Sequence, residues 1–309
     1  MNNNKFKDKT VLVTGGDGFI GSYLVEALLK KDAKVVALTR SKYLKNLDLI
    51  KDRIDIVYQD LTKKESVNEI SKLKPDYIFH LAGFIKSDSY ENPTEILETN
   101  VMGTINVIEA AVRIPNLKRI FYFSTGEVYG ECVYANEDHE LNPSSIYATS
   151  KLTSEKILQV YSQKKKIPTT IIRLFNTYGP RKKDNAIYFF IKAALKDEEI
   201  IINGNGEQIR SFIYIDDLVD TCLLISSKDD SIDRIINIGG EEYLKVKDLA
   251  QKIKYLCNSN SKILFRNIDP GLRSFYSDNT LLKNEYGFIP NINIDLGLKL
   301  TIDWVRSML

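Results

Sequence analysis

One short stretch near the start restricts what this chain can fold into. Thr10 to Val13 is an apolar run that reads as a β-strand, and it leads into Thr14-Gly15-Gly16-Asp17-Gly18-Phe19-Ile20-Gly21. A helical pattern runs from Phe19 to Lys30, and a second strand from Lys34 to Leu38. Strand, Gly-rich turn, helix and strand fall within about thirty residues, the size of a dinucleotide-binding unit. Gly16, Gly18 and Gly21 have the required spacing. The first permits a tight turn, the second lets backbone approach a pyrophosphate, and the third lets helix and strand pack closely. The helix N-terminus offers N–H groups to the phosphates.

The same alternation continues. Ile54 to Tyr58 reads as a strand, and Thr62 and Glu65 have capping-box spacing before the next helix. Tyr77 to Leu81 is a strand, Asn92-Pro93 opens a long helix through about Val112, and Lys118 to Phe123 is a strand. Thr169 to Leu174 is the last obvious core strand. This order predicts an α/β fold, a doubly wound parallel sheet with helices on both faces. Ligands of such sheets lie beyond the carboxyl ends of the strands, so Gly16, Arg40, Asp60, Gly83 and Ser124 should line one rim. Asp60 also fits a turn or helix cap, and His80 fits a satisfied core histidine.

The end of the second strand bears on the cofactor. NAD sites usually place an acid there for the ribose diol, and NADP sites an arginine. This chain has Leu38-Thr39-Arg40-Ser41, with no carboxylate. The expected cofactor is therefore NADP, Arg40 pairing with a 2′-phosphate. The alternative is NAD, with Arg40 stacked on adenine.

The chemistry concentrates in Ser124-Thr125-Gly126-Glu127-Val128-Tyr129-Gly130 and Tyr147-Ala148-Thr149-Ser150-Lys151. Tyr147 and Lys151 are four apart on one helix face. A phenol normally ionises near pH ~10, and a nearby cation lowers that value. Lowering it by ~3 units takes about 4 kcal/mol of differential stabilisation. Lys151 is expected to supply part of it, and a bound cationic nicotinamide more. A hydroxyl from Ser124 or Thr125 would hold the substrate oxygen against Tyr147. The set then removes a proton while the substrate passes a hydride to the cofactor.

Composition excludes other classes. The net charge of +2 over 309 residues gives no nucleic-acid surface. The three cysteines, Cys132, Cys222 and Cys257, match no disulfide framework or metal spacing and suggest a reducing, cytoplasmic setting. With two histidines, His80 and His139, no metal site is expected. No apolar run is long enough to span a membrane. The Lys164-Lys165-Lys166 run suits a solvated helix end.

Taken together, the motifs resemble the extended short-chain dehydrogenase/reductase family, the nucleotide-sugar epimerases and dehydratases. The matching pieces are those at 14–21, Asp60-Leu61, His80-Leu81-Ala82-Gly83, Asn100 with Gly103-Thr104, 124–130, and Tyr147 with Lys151. Arg173 to Arg181 (RLFNTYGPR) and Arg210 to Leu218 (RSFIYIDDL) follow in family order. The resemblance implies a tightly held nicotinamide cofactor and a nucleoside-diphosphate sugar, oxidised first at C4 by Tyr147, Lys151 and Thr125. Cofactor contacts are expected from Gly15, Gly18, Phe19, Ile20, Gly21, Thr39, Arg40, Asp60, Leu61, Leu81, Ala82, Gly83, Asn100, Tyr147 and Lys151. The substrate diphosphate is assigned to Asn176, Arg181, Arg210 and, in the 269–273 loop, Arg273. A Rossmann-type domain over 1–175, with 210–240 returning to it, and a smaller α+β substrate-binding domain over 176–309 are expected. So is a homodimer through helices near 93–112 and 147–163.

The reaction outcome rests on fewer residues. Family dehydratases often have Asp-Glu after the threonine; here Gly126 stands in place of the aspartate and Glu127 remains. The motifs at 173–181 and 210–218 look most like the epimerase branch, so a C4 epimerase is expected. The alternatives are a 4,6-dehydratase with Glu127 as the C5 base, a decarboxylase, an NADPH-dependent 4-keto-sugar reductase, and a non-catalytic NADP(H) sensor.

Overall fold

A computed structural model describes residues 4–85, 91–269 and 274–309. In chain order the first elements are β1 (Thr10–Thr14), α1 (Phe19–Leu29), β2 (Lys34–Thr39), β3 (Asp55–Tyr58), α2 (Glu65–Leu73) and β4 (Tyr77–His80). Then come α3 (Pro93–Leu97), a π turn (Glu98–Met102), α4 (Gly103–Val112), β5 (Arg119–Thr125), β6 (Cys132–Ala135), α5 (Ile146–Lys165) and β7 (Thr169–Leu174). They are followed by β8 (Thr177–Tyr178), α6 (Ala186–Leu195), β9 (Ile200–Asn203), β10 (Ile209–Ser211), β11 (Ile213–Tyr214), α7 (Ile215–Ser227) and β12 (Arg234–Ile238). The last are β13 (Tyr243–Lys245), α8 (Val246–Leu256), β14 (Ile263–Arg266), β15 (Ser274–Ser277), α9 (Thr280–Tyr286) and α10 (Ile294–Arg306).

The chain divides into two compact units. The first comprises Met1–Val128, Pro143–Arg173 and Val219–Ile236. It holds a seven-stranded sheet in the order β12-β7-β5-β4-β1-β2-β3, in which β1 to β5 pair in parallel. All seven residues of β5 are buried, as expected of a strand covered on both faces. One face packs Leu12, Ile78 and Ile120 against Val107, Ile108 and Leu158 of α4 and α5. Elsewhere Phe79 stacks on Phe121 with centroids 4.5 Å apart. The strand order reverses beside β1, and the loops after β1, β2, β3, β4 and β5 carry Gly15, Arg40, Asp60, Leu81 and Gly126.

The second unit comprises Tyr129–Asn142, Leu174–Leu218 and Asn237–Leu309. It contains a four-stranded sheet β13-β10-β15-β6 and the pairs β11-β8 and β14-β9. Phe175 stacks on Phe275 at 4.7 Å, and Trp304 packs against Tyr188. Its short strands carry little periodicity, so sequence pattern alone missed most of them.

Several local expectations are corrected. Thr62 does not cap α2; its N–H and hydroxyl both donate to Asp60 Oδ1, at 2.9 Å each, and α2 starts at Glu65 without a side-chain cap. The long helix from Pro93 is interrupted by the π turn. The helix carrying Tyr147 spans Ile146 to Lys165, where Lys166 turns left-handed at φ 54° and ends it.

Candidate active site

The Gly-rich turn is shaped by close backbone approach. Gly15 has φ +69°, and a Cβ there would lie 2.9 Å from Ala82 N. The left-handed residue is thus Gly15, not Gly16, which packs instead against Ala37. A Cβ on Gly21 would lie 2.2 Å from Gly15 O, so only glycine lets α1 start this close to β1. Gly18 is the N-cap of α1, and no side chain caps it; Phe19 and Ile20 form its first turn.

Asp17, overlooked in the sequence, is buried. Its carboxylate accepts the backbone N–H groups of Lys45, Asn46 and Leu47 at 2.8–3.1 Å, fixing the loop after β2. A cavity of about 160 Å³ opens beside the turn, lined by Gly15, Thr39, Arg40, Asp60, Leu61, Ala82, Gly83 and Phe84, among others. Arg40 at its edge is exposed, with Nη1 4.0 Å from Glu95. A dinucleotide fits these residues: the cradle has no room for side chains, α1 begins at it without a side-chain cap, and the cavity follows the strand ends.

The loop after β4 is tied down from two sides. Leu81 N–H donates to Thr14 O and Ala82 N–H to Thr14 Oγ1, each at 3.2 Å. Asn100, in the π turn, accepts Phe84 N–H at 2.7 Å and donates to Phe84 O at 3.0 Å and Ser150 Oγ at 2.9 Å. Single π turns often mark functional positions. His80 is a core histidine: its ring nitrogens meet Thr14 Oγ1 at 2.7 Å and Thr104 Oγ1 at 3.0 Å. Burial, then the Lys151 charge, push its pKa down to about 3.

Thr125 ends β5; its hydroxyl oxygen accepts the Glu127 N–H at 3.2 Å, and its side chain favours the ionised form of Tyr147. Ser124 does not share this role; its hydroxyl donates to the buried carboxylate of Glu155. Ser145 caps α5 through Ala148 N–H at 3.1 Å, which sets Tyr147 and Lys151 in the first two turns. Lys151 is buried, with Nζ 4.5 Å from the centroid of the Tyr122 ring. The expected lowering of Tyr147 by Lys151 is not what these residues produce. Burial pushes the phenol above its ordinary value and the Glu127 charge adds to this, while the Thr125 side chain opposes it. Lys151 is pushed down to about 8 by burial, opposed by the Glu155 charge.

The substrate candidates with described positions lie in the second unit. Asn176 donates to Ser211 O at 3.2 Å, Arg210 donates to Ile209 O at 2.8 Å, and Arg181 adopts φ +74°. Arg273 lies outside the described residues. Asp217, in the first turn of α7, accepts the N–H groups of Asn291 and Ile292. No helix among the described residues is long and apolar enough to cross a membrane.

A Rossmann-type sheet with a glycine cradle after β1, Thr125 at the end of β5, and Tyr147 and Lys151 on α5 defines a nicotinamide-dependent dehydrogenase/reductase class. The chain belongs to the NAD dependent epimerase/dehydratase family, whose model matches residues 11–239; it is an enzyme of the extended short-chain dehydrogenase/reductase type expected from the motifs. It is similar to the UDP-N-acetyl-alpha-D-glucosaminuronate decarboxylase of Bacillus cytotoxicus, 34% identical over 97% of this chain and 98% of the relative. UDP-glucuronic acid decarboxylase 5 of Arabidopsis thaliana is 31% identical over 97% and 91%. Among solved structures, the UDP-glucuronic acid 4-epimerase of Bacillus cereus with UDP-glucuronic acid and NAD is 28% identical, with a TM-score of 0.90 over 97% and 100%. The UDP-glucose 4-epimerase of Thermotoga maritima with UDP-glucose is 28% identical, with a TM-score of 0.89 over 97% and 99%.

Proposed function

We propose that this enzyme epimerises a UDP-sugar at C4 through transient oxidation to the 4-keto sugar. The observation that carries this reading is the placement of Tyr147 and Lys151 one turn apart at the start of α5, with Thr125 at the end of β5 acting on the Tyr147 phenol. Tyr147 takes the C4 hydroxyl proton as a hydride leaves C4, and returns it when hydride comes back on the other face. Thr125 orients the hydroxyl. Lys151 favours the phenolate as it forms. The bound nicotinamide supplies the hydride acceptor. The family's epimerases of known structure support the outcome.

Decarboxylation of a UDP-hexuronic acid is the second reading, favoured by Glu127 and by the decarboxylase relatives. It shares the first step: a 4-keto group next to C5 stabilises the carbanion left when carbon dioxide departs from C5.

Asn176, Arg181, Arg210 and Arg273 are proposed as diphosphate partners, since a guanidinium fork suits phosphate oxygens. NADP is proposed in preference to NAD, supported by Arg40 at the cavity edge and the absence of an acid at Thr39. A homodimer through α3, α4 and α5 is supported by the exposed apolar side chains of Leu97, Met102 and Val160. Mass spectrometry of products from a panel of UDP-, dTDP-, GDP- and CDP-sugars, with and without NADPH, tests the reading. An isomer of unchanged mass supports epimerisation, and loss of carbon dioxide replaces it with decarboxylation. Loss of water, turnover of 4-keto sugars alone, or no turnover refutes both.

A further inference from the structure

The loop after β2 reads Arg40-Ser41-Lys42-Tyr43-Leu44-Lys45-Asn46-Leu47, three cations with no acid among them. Such a loop repels itself and is drawn to anions. It is nevertheless folded into a definite shape. The Ser41 hydroxyl accepts Tyr43 N–H at 3.0 Å and donates to Tyr43 O at 3.1 Å, closing a small turn. Leu47 is buried at the far end.

The fastening comes from one residue of the Gly-rich turn. Asp17 is 7% exposed. Its Oδ1 accepts Lys45 N–H at 3.1 Å, Asn46 N–H at 2.9 Å and Leu47 N–H at 3.0 Å, and its Oδ2 accepts Lys45 N–H at 2.8 Å. The Asn46 side chain adds a bond from Nδ2 to Asp17 O at 2.7 Å. Asp17 itself sits in a closed turn, because Gly18 N–H donates to Gly15 O at 2.9 Å. The glycine cradle that fits a dinucleotide and the cationic loop are thus joined through Asp17.

This join bears on Arg40. β2 ends at Thr39 and Lys45 is fastened to Asp17, so residues 40–44 must turn between two fixed points. Arg40 lies at the edge of the cavity beside the cradle. Its 4.0 Å pair with Glu95 is between exposed groups and holds it weakly. A rotamer-rich side chain on a loose loop must be ordered when a ligand arrives, and that ordering weakens binding. A loop fastened beforehand avoids much of the loss.

We propose that Asp17 is a positioning residue for cofactor selectivity: by fastening the loop after β2 to the Gly-rich turn, it holds Arg40 where an adenosine 2′-phosphate arrives. This rests on the NADP reading of Arg40 above. The role needs acceptor oxygens in the right place. An asparagine, which keeps one carbonyl oxygen for the three N–H groups at Oδ1, should therefore serve where an alanine does not.

The test is fluorescence titration of the full-length protein with NADPH and NADH, reading the preference for one over the other as the ratio of their Kd values. The two ligands differ by the 2′-phosphate alone. Damage to the cradle as a whole weakens both alike and leaves the ratio unmoved. Asp17→Ala should lower the preference for NADPH on the order of three- to ten-fold, and Asp17→Asn should keep it within about two-fold of wild type. Arg40→Ser should lower it as well, and D17A added to R40S should lower it no further, since Asp17 acts through Arg40. A ratio unchanged in D17A while R40S lowers it overturns the proposal and leaves the NADP reading standing. So does a D17N ratio as low as that of D17A, or a further drop in the double variant. A ratio unchanged in R40S overturns the NADP reading, and the proposal with it. If D17A does not fold, Asn46→Ala is read instead, since it cuts the amide bond to Asp17 O from the loop side. A lowered ratio there supports the proposal, and an unmoved one overturns it. No nucleotide sugar is present, so the outcome is separate from that of the product assay.

Discussion

Asn100 donates to Ser150 Oγ at 2.9 Å, and that bond joins the loop after β4 to the helix of Tyr147 and Lys151. The Ser150 hydroxyl in turn donates to Tyr147 O at 2.7 Å. The Asn100 carbonyl accepts the Ser154 hydroxyl at 2.9 Å. A residue in a π turn thereby sets the cofactor-side loop and the catalytic helix against each other.

Replacing Asn100 with alanine removes three side-chain hydrogen bonds, each worth about 1 kcal/mol net. The expected result is a loss of roughly 2–3 kcal/mol in urea unfolding, with dinucleotide binding weakened on the order of ten-fold by calorimetry. Wild-type affinity in a folded N100A protein would show that the loop holds its shape without the amide.

Gly21→Ala pushes a methyl group to 2.2 Å from Gly15 O, a backbone atom that cannot swing aside. Overpacking of this kind costs about 1–3 kcal/mol. Thermal unfolding should shift down by several degrees, with a parallel loss of dinucleotide affinity. A variant of unchanged Tm would contradict the close packing of α1 on β1.

His80 is buried neutral, with its pKa lowered to about 3 from an ordinary value near 6.5. Between those values the unfolded chain binds the proton and the folded chain does not. Stability contributed by the neutral ring is therefore complete above about pH 6.5, and is lost as pH falls towards 3. The slope of unfolding free energy against pH in that window should flatten in His80→Gln, even though the variant is less stable overall. An unchanged slope would mean that His80 is not the group being titrated.

Much of the first unit was legible because its strands are short apolar runs and its turns carry glycines at fixed spacing. Thr10 to Gly21 and Thr169 to Leu174 announce themselves by composition. The second unit was largely hidden. Strands such as β10 and β11 are two or three residues long and are specified by partners distant in sequence, such as Arg210 opposite Leu244. In the site, Tyr147 and Lys151 stood out through motif spacing, but Glu155 did not. An acid within a helix reads as solvated surface until the strand that brings Arg173 to it is known. The one available clue was an arginine inside an otherwise apolar strand. Asp17 was masked in the same way, its three backbone donors coming from a loop nearly thirty residues on. Ser124 and Thr125 are adjacent and chemically equivalent in sequence. Opposite pointing along β5 separates them: the Ser124 hydroxyl goes to Glu155, while the Thr125 hydroxyl accepts the Glu127 N–H.

Arg40 governs the proposed preference for NADP. Arg40→Ser should weaken NADPH binding by roughly ten- to a hundred-fold, the loss of one charge-assisted contact, while NADH binding changes little. Fluorescence titration with both dinucleotides reads the ratio. Equal losses for the two would place Arg40 against the adenine rather than a 2′-phosphate.

The most direct test of the catalytic account is turnover by Tyr147→Phe on the nucleotide sugar found by the product assay. The variant keeps the ring and removes only the phenolic hydroxyl. kcat should fall at least about a hundred-fold, the usual contribution of a positioned acid–base group, with dinucleotide affinity within about two-fold of wild type. Unaltered kcat in a folded Y147F enzyme would contradict proton transfer by Tyr147, and with it the C4 oxidation built on that residue.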